Sequence, residues 1–437
     1  MKAAFYTLGC KVNQYETQAM RELFEAAGYE TVDFSERADV YVINTCTVTQ
    51  TADKKSRQMI SRAKELSPDG KVVVTGCYAQ RASDEILKLG GVDLVIGTAQ
   101  RDRIVEMTEK LIFEPELPHA YVVPAAGRRF EDISATREGR TRAYLKIQDG
   151  CDRFCTYCII PYVRGNVRSR TLASIRRETE AIADGGFKEI VLTGIHLMSY
   201  GKDFRDGTGL MEAIDVVSGV NGIERIRLGS LEPQLMTRET IEALAANGRL
   251  CRQFHLSLQS GSKTVLERMK RRYTPQEYER CVEMLREAMP ECAITTDIIA
   301  GFAGETEQEF NETLEFAEKI GFSRIHVFPY SRREGTVAYG MAGQLGNAVK
   351  QERARRLIEL QNELERQYLE RQIGKTHGVL FETYENGVLH GHTDTYLGVN
   401  VLEPDGDEYI NKIISVRING IDGANLTGNI DNKQEET

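Results

Sequence analysis

Ile147-Gln148-Asp149-Gly150-Cys151-Asp152-Arg153-Phe154-Cys155-Thr156-Tyr157-Cys158-Ile159-Ile160-Pro161 closes an apolar run, Ala143–Gln148, and sets three cysteines within eight residues. The spacing C-x3-C-x2-C offers three thiolates to a four-iron cubane and leaves one iron without a protein ligand. Ferredoxin-type carriers give each cluster four cysteines, so a set of three is built to take something else at the open iron. S-adenosylmethionine (SAM) suits that position. Its amino and carboxylate groups can chelate iron, and electron transfer to its sulfonium would release a 5′-deoxyadenosyl radical; SAM and iron–sulfur clusters both carry radical chemistry. A structural zinc site competes with this reading but wants four ligands, and no fourth Cys or His stands close by. Chance grouping of buried thiols is the other competitor; the double spacing is more specific than a single C-x-x-C.

The apolar run before the motif is the first of six expected strands: Ala143–Gln148, Glu189–Thr193, Arg225–Leu228, Phe254–Leu258, Ile294–Ile299 and Arg324–Phe328. Amphipathic stretches such as Ser174–Asp184, Pro275–Ala288 and Gln308–Ile320 alternate with them. Six βα units are too few for a closed eight-stranded barrel, so a six-stranded open barrel is expected over 141–347. Barrel chemistry sits at the carboxyl ends of the strands, where the cysteine loop falls. Ser257 and Gln259, two apart, share one face of their strand. That face is the barrel interior, where unpaired polar groups are costly, so a ligand accounts for them better than strand polarity.

Residues 1–115 show the same βα rhythm, with strands at Ala3–Leu8, Thr31–Phe34, Asp39–Asn44, Lys71–Thr75 and Asp93–Ile96. Helices are expected at Gln14–Ala27, Ala52–Leu66, Ser83–Leu89 and Arg103–Leu111, giving an open parallel α/β sheet. Cys10, Cys46 and Cys77 each fall just past a strand end. In an open parallel sheet those ends share the ligand-binding edge, so the three either converge on a second cluster or are unrelated buried thiols.

Residues 116–140, flanked by Pro115 and carrying Pro118 and Pro124, read as a linker. Ala348–Gln372 reads as a charged helix whose Leu357, Leu360, Leu364 and Tyr368 face packs back on the barrel. The tail, 373–432, has short runs at Gly378–Glu382, Leu389–Thr393, Gly398–Leu402 and Ile413–Asn419 between Gly, Asn and Asp turns, which suggests a five-stranded barrel. Thr427–Thr437 is expected to fray.

At 437 residues the chain exceeds one ordinary domain. It has no apolar run long enough to span a bilayer, and Met1–Val12 lacks a signal-peptide pattern, which points to the cytoplasm and to no membrane partner. Nine cysteines in such a chain argue for metal ligation or free thiols rather than disulfides; Cys251, Cys281 and Cys292 carry no motif and read as buried thiols. The net charge of −9 is uneven. Residues 376–437 hold three Lys/Arg and eleven Asp/Glu, while Arg128–Arg177 holds twelve Lys/Arg and five Asp/Glu. That basic stretch around the cysteine motif is either a rim for a phosphate-bearing substrate or a solvated surface.

Together, Thr7-Leu8-Gly9-Cys10-Lys11-Val12-Asn13, Asn44-Thr45-Cys46, Thr75-Gly76-Cys77 and the Gly150–Gly165 run make the chain resemble the radical SAM methylthiotransferases along nearly its whole length. The tail resembles their TRAM domain, a small RNA-binding barrel. Gly-Cys-Lys-Val-Asn-Gln-Tyr-Glu and Gly-Cys-Asp-Arg-Phe-Cys-Thr-Tyr-Cys-Ile-Ile-Pro most resemble the branch that acts on threonylcarbamoyladenosine in tRNA. The isopentenyladenosine and ribosomal-protein branches are the alternatives, and a non-catalytic iron–sulfur RNA-binding protein is the alternative of another class.

The resemblance implies two [4Fe–4S] clusters, a catalytic one on Cys151, Cys155 and Cys158 with SAM, and an auxiliary one on Cys10, Cys46 and Cys77. It implies SAM contacts from Tyr157, Thr193, Gly194, His196, Ser230, Glu232, Ser257, Gln259 and Asp297. His196 and His255 have the competing reading of core histidines. A sulfur on the auxiliary cluster would be methylated by one SAM and transferred to C2 of an adenosine activated by a second. The partners implied are a tRNA anticodon stem-loop, an external flavodoxin- or ferredoxin-like electron donor and a sulfur source. Arg164, Arg168 and Arg170, with Arg128–Arg142, are candidates for the RNA phosphates, and Tyr384, Tyr396 and Tyr409 either stack on bases or sit in the tail's core. The chain departs from the family pattern at Ala303 and Arg332, where proline is common; Arg332 adds a cation.

Overall fold

A computed structural model describes residues 1–113, 120–136 and 141–431. Pro115 and Pro118 of the expected linker, Arg137 and Arg140 of the basic stretch, and the end of the tail from 432 lie outside the described residues. Among the described residues no helix is long and apolar enough to cross a membrane.

The amino-terminal sheet is wholly parallel. In chain order its strands are Lys2–Thr7, Glu30–Val32, Val40–Thr45, Lys71–Gly76, Leu94–Ile96 and Ala120–Tyr121, and in space the first lies between the second and third. Both faces are covered, as in doubly wound folds. Val40 and Val42 pack with Phe24 and Met107 on one side, and Tyr41 and Ile43 pack with Ile60 and Tyr78 on the other. Ala120–Tyr121 corrects the linker expectation, since this two-residue edge strand pairs with Leu94–Ile96. A strand that short leaves no alternation to read.

The central strands form two parallel triplets, Arg142–Lys146, Glu189–Thr193 and Arg225–Leu228, then Gln253–His255, Ala293–Ala300 and Arg324–Pro329. Bridges between Ile226 and Leu250 and between Leu231 and Leu256 join them into the expected open arc of six. Helices Leu172–Asp184, Leu210–Ser218, Arg238–Ala246, Pro275–Ala288 and Glu307–Ile320 cover the outside. Thr274 and Thr306 open the last two with capping boxes to Glu277 and Glu309, which satisfy otherwise orphaned helix-start N–H groups. Asn347–Glu370 lies on the arc through Leu357 and Leu364.

The tail closes into a five-stranded barrel of Thr376–Glu385, Val388–Thr393, Gly398–Leu402, Ile413–Asp422 and Asn425–Ile430. The last strand corrects the frayed-end expectation as far as residue 430. Asn425–Ile430 is short and rich in Asn and Gly, which are poor strand formers, and its order comes from pairing with two neighbours. The barrel caps the amino ends of the central strands. Arg225 donates to Gly378 O at 2.7 Å, Arg227 donates to Asp394 O at 2.8 Å, and Tyr396 stacks on Arg142 and Arg227. Tyr384 and Tyr409 pack against the barrel core.

Candidate active site

The first cysteine loop is held by its own turns and by the strands beneath it. Gly150 has φ +72°, and a Cβ there would stand 1.9 Å from Asn166 O, so only glycine fits. Phe154 adopts φ +50°. Cys151 N donates to Gly165 O at 2.9 Å, and Thr156 N donates to Met269 O at 3.0 Å. The Cys151 and Cys158 thiols both feel the charge of Cys155. Burial first, then the neighbouring thiols, pushes Cys158 up to about 12, and burial pushes Cys151 up to about 11. Arg271 places a guanidinium nitrogen 3.4 Å from Cys155 Sγ.

The second set is assembled by the sheet. Cys10 caps the helix Lys11–Ala26 after the first strand, Cys46 follows Val40–Thr45, and Cys77 opens the short helix Cys77–Arg81 after Lys71–Gly76. Those three strands are neighbours. Cys10 and Cys46 flank the crevice where strand order reverses, the usual ligand site of such sheets. Gly9, at φ +114°, lies so close that a Cβ would be 3.2 Å from Cys46 Sγ. Asn13 ties the loops together, donating to Leu8 O at 2.7 Å and Thr45 O at 3.1 Å. Burial pushes the Cys46 thiol up to about 12 and also raises Cys77. Arg164 Nε stands 3.3 Å from Cys77 Sγ.

Both sets therefore have a guanidinium beside one thiol, and both meet the short helix Ile160–Arg164. One residue separates this helix from Cys158, and Cys77 packs against Ile159, Ile160 and Val163. The sheet is further fixed to the arc by Arg333, which reaches Asp53 at 2.5 Å and also Thr47.

Arg164, Arg168 and Arg170 do not face RNA, which corrects the sequence expectation. They are 0%, 5% and 2% exposed. Arg164 binds Glu16 at 2.8 Å and Asp149 at 3.0 Å, Arg168 binds Asp149 at 3.1 Å, and Arg170 pairs with Glu178 and, at 2.7 Å, with Asp132. Arg101 and Lys146 complete the network around Glu16. Burial alone would raise Glu16 and Asp149, but the surrounding cations outweigh it and hold both carboxyls well below their usual range. Counting charge along a sequence cannot see carboxylates supplied from distant elements. Arg128 is likewise engaged, with Thr98 and Gln80, and Arg142 with Glu382 at 2.7 Å.

At the carboxyl ends of the arc, Gln148 supports the turn after Thr193. Its Oε1 accepts from His196 N at 2.8 Å, and a Cβ on Gly194 would meet its side chain at 2.9 Å. Glu232 is the hub. It lies 2.7 Å from His196 Nε2, 2.5 Å from Arg153 and 3.5 Å from Arg271. Burial opposes its charge, but these partners keep its carboxyl below the ordinary value. His196 Nδ1 is 2.7 Å from Ser199 Oγ, so the ring is fixed at both nitrogens.

The structure thus groups His196, Glu232, Thr193 and Gly194 with the Cys151 loop. Tyr157 is half-buried against Phe302, at 6.4 Å between ring centroids. Ser257 offers its carbonyl to Arg271 and Tyr273. Ser230 is exposed, and Gln259 takes φ +71°. Asp297 faces His255 Nε2 at 3.3 Å, and its carbonyl accepts from Gln259 N at 2.8 Å. Arg153, Arg271, Tyr273 and Gln148 escaped the sequence reading. Only the cationic run Lys270-Arg271-Arg272 could have signalled Arg271. Cys251, Cys281 and Cys292 are buried, as expected.

Residues 2–97 match the model of the uncharacterized protein family UPF0004, and residues 145–317 match that of the radical SAM superfamily. The chain is 43% identical to the threonylcarbamoyladenosine tRNA methylthiotransferase MtaB of Bacillus subtilis, over 95% of this chain and 93% of that protein. It is 34% identical to the tRNA-2-methylthio-N(6)-dimethylallyladenosine synthase of Pelotomaculum thermopropionicum, over 98% and 97% respectively. Among solved structures it resembles the radical SAM methyltransferase TsrM of Kitasatospora setae, with TM-score 0.57, 15% identity, and coverage of 75% of this chain and 74% of that one. That likeness concerns the fold alone. Two cysteine sets on one frame, matched over almost the full length by relatives above 30% identity, make the chain a member of the radical SAM methylthiotransferase family.

Proposed function

We propose that the chain adds a methylthio group to C2 of N6-threonylcarbamoyladenosine next to the anticodon of tRNA, in the cytoplasm. The observation that carries this reading is the convergence of two three-thiol sets on the helix Ile160–Arg164. C2 of an adenine is an unactivated aryl carbon whose proton no general base removes at a useful rate. Radical SAM enzymes use SAM with a [4Fe–4S] cluster, and Cys151, Cys155 and Cys158 would hold that cluster, with Cys10, Cys46 and Cys77 holding a second. Bound there, these groups supply one-electron chemistry for the C–H bond and a site for the sulfur to be transferred. The donor chemistry fits, because each set offers three free thiols and a guanidinium that favours negative charge.

The residues around the sets have separate tasks. Gln148 and the Glu232, His196, Arg153 group hold the strand-end turns against which SAM would lie. Phe154 and Tyr162 are 45% and 47% exposed and meet edge to face at 5.7 Å; they offer a surface for a base splayed from its loop. Arg332, exposed and stacked on Tyr339, can take a backbone phosphate in place of the inward arginines. An external electron donor and a sulfur source complete the cycle.

The test is anaerobic. The cluster-loaded chain is given SAM, reductant and tRNA with or without threonylcarbamoyladenosine, and the digested nucleosides are weighed. A methylthio gain only on threonylcarbamoyladenosine is expected. A gain on isopentenyladenosine instead would move the chain to the sister branch, and SAM cleavage with no gain on any tRNA would point to a protein substrate.

A further inference from the structure

Three metal-ligand side chains meet on the inner face of the central arc, none of them belonging to either cysteine set. His255 ends one strand, Asp297 lies in the next and His326 in the last, with Asp297 paired to His326 and His255 paired to Thr295. Their ligand atoms all lie within 4.8 Å of one another. His255 Nε2 is 3.3 Å from Asp297 Oδ2, and its Nδ1 is 3.0 Å from Thr295 Oγ1. Metal-bound histidines keep one ring nitrogen for the ion and steady the other with an outer hydrogen bond; Thr295 supplies such a bond to Nδ1 and leaves Nε2 on the side of Asp297. Donors about 3.3 Å apart also match the edge of a tetrahedron with bonds of ~2.0 Å. The two rings are 5.8 Å apart and tilted by 36°, so both can border one ion. His326 is exposed, while His255 and Asp297 are half-buried, so an ion here would keep positions open.

We propose that His255, Asp297 and His326 bind one divalent transition-metal ion, zinc or ferrous iron, within the arc. Two imidazoles and a carboxylate with open positions suit these ions, and the assignment gives Asp297 a task other than the SAM contact expected from sequence. The competing arrangement is a plain His255–Asp297 ion pair, which has no need of His326.

The probe is Zn²⁺ alone. The cluster-loaded chain is incubated with Zn²⁺ and gel-filtered, and zinc and iron are measured together by mass spectrometry. Wild type should retain about one zinc per chain beyond that of a His255→Ala/His326→Ala double variant, with equal iron in both. His326→Ala alone should retain at least about tenfold less. Asp297→Asn, nearly isosteric, should lose zinc as well and covers the case in which His326→Ala fails to fold. Equal zinc in wild type and Asp297→Asn, or no zinc on wild type, would overturn the proposal.

Discussion

Cys151, Cys155 and Cys158 come from a single loop, whereas Cys10, Cys46 and Cys77 come from three strand ends spread between residues 10 and 77. The loop carries all three thiols on one short segment, shaped by its turns at Gly150 and Phe154 and steadied by backbone bonds to Gly165 and Met269. The dispersed set exists only once three parallel strands are in register, so it depends on long-range pairing. Despite these different origins, each set ends with a guanidinium beside one thiol, Arg271 at Cys155 and Arg164 at Cys77. Local spacing and sheet topology are two routes to the same donor set, and each can fail without the other.

The strongest way to break the comparison is to disable one set at a time. Cys155→Ala should reduce 5′-deoxyadenosine formation from SAM to background. Cys46→Ala should leave that cleavage in place and end methylthio transfer. Methylthiolated RNA from the Cys46 variant would sink the division of labour.

A smaller effect is expected where the two sets share support. Glu16→Ala leaves Arg101, Arg164 and Lys146 buried around a missing carboxylate and should cost about 3–5 kcal/mol, read as a lowered urea midpoint of the cluster-free chain. Because the folded Glu16 carboxyl lies below its unfolded value of ~4.3, its contribution is present above that pH and fades as pH falls below it. An unchanged acid limb in Glu16→Gln would show that the network does not act this way.

Thiol reactivity sharpens the comparison further. With Cys46 and Cys158 at about 12 and Cys151 at about 11, alkylation of the cluster-free chain should be slow at neutral pH. It should rise about tenfold per pH unit while the thiols remain protonated. Site-resolved mass spectrometry reads this directly, and a plateau below about pH 9 at Cys46 would contradict the burial.

The smallest effect lies far from both sets. Tyr396→Leu removes the stack on Arg142 and Arg227 and should cost about 0.5–2 kcal/mol. Faster hydrogen exchange at the seam between barrel and arc is expected, with SAM cleavage unaltered; lost cleavage would mean that the seam reaches the site.

Much of this was legible in sequence because periodicity and spacing are local. The placement of the six cysteines, the parallel sheet and the open arc could be read that way, whereas Glu232 and His196 were expected only from the family resemblance. What could not be read was set by partners. Arg164, Arg168 and Arg170 look like a cationic rim until Glu16, Asp149 and Glu178 fold against them. Arg271 reaches Cys155 from 116 residues away. Asn425–Ile430 becomes a strand only between two others. His255, weighed in sequence only as a site or core histidine, and His326, which carried no signal, meet because strand register sets them across Asp297.

The helix Ile160–Arg164 also sets a rule for which lengths of chain are tolerated. Its last residue reaches Cys77, and its start is fixed to Cys158 by a single intervening residue. One added or deleted residue would turn Arg164 by about 100° about the helix axis, away from Cys77, Glu16 and Asp149 together. Surface loops elsewhere can absorb insertions, but the interval from Cys158 to Arg164 behaves as a fixed gauge. Viable length variants recovered from a random insertion library should leave that interval at its present count.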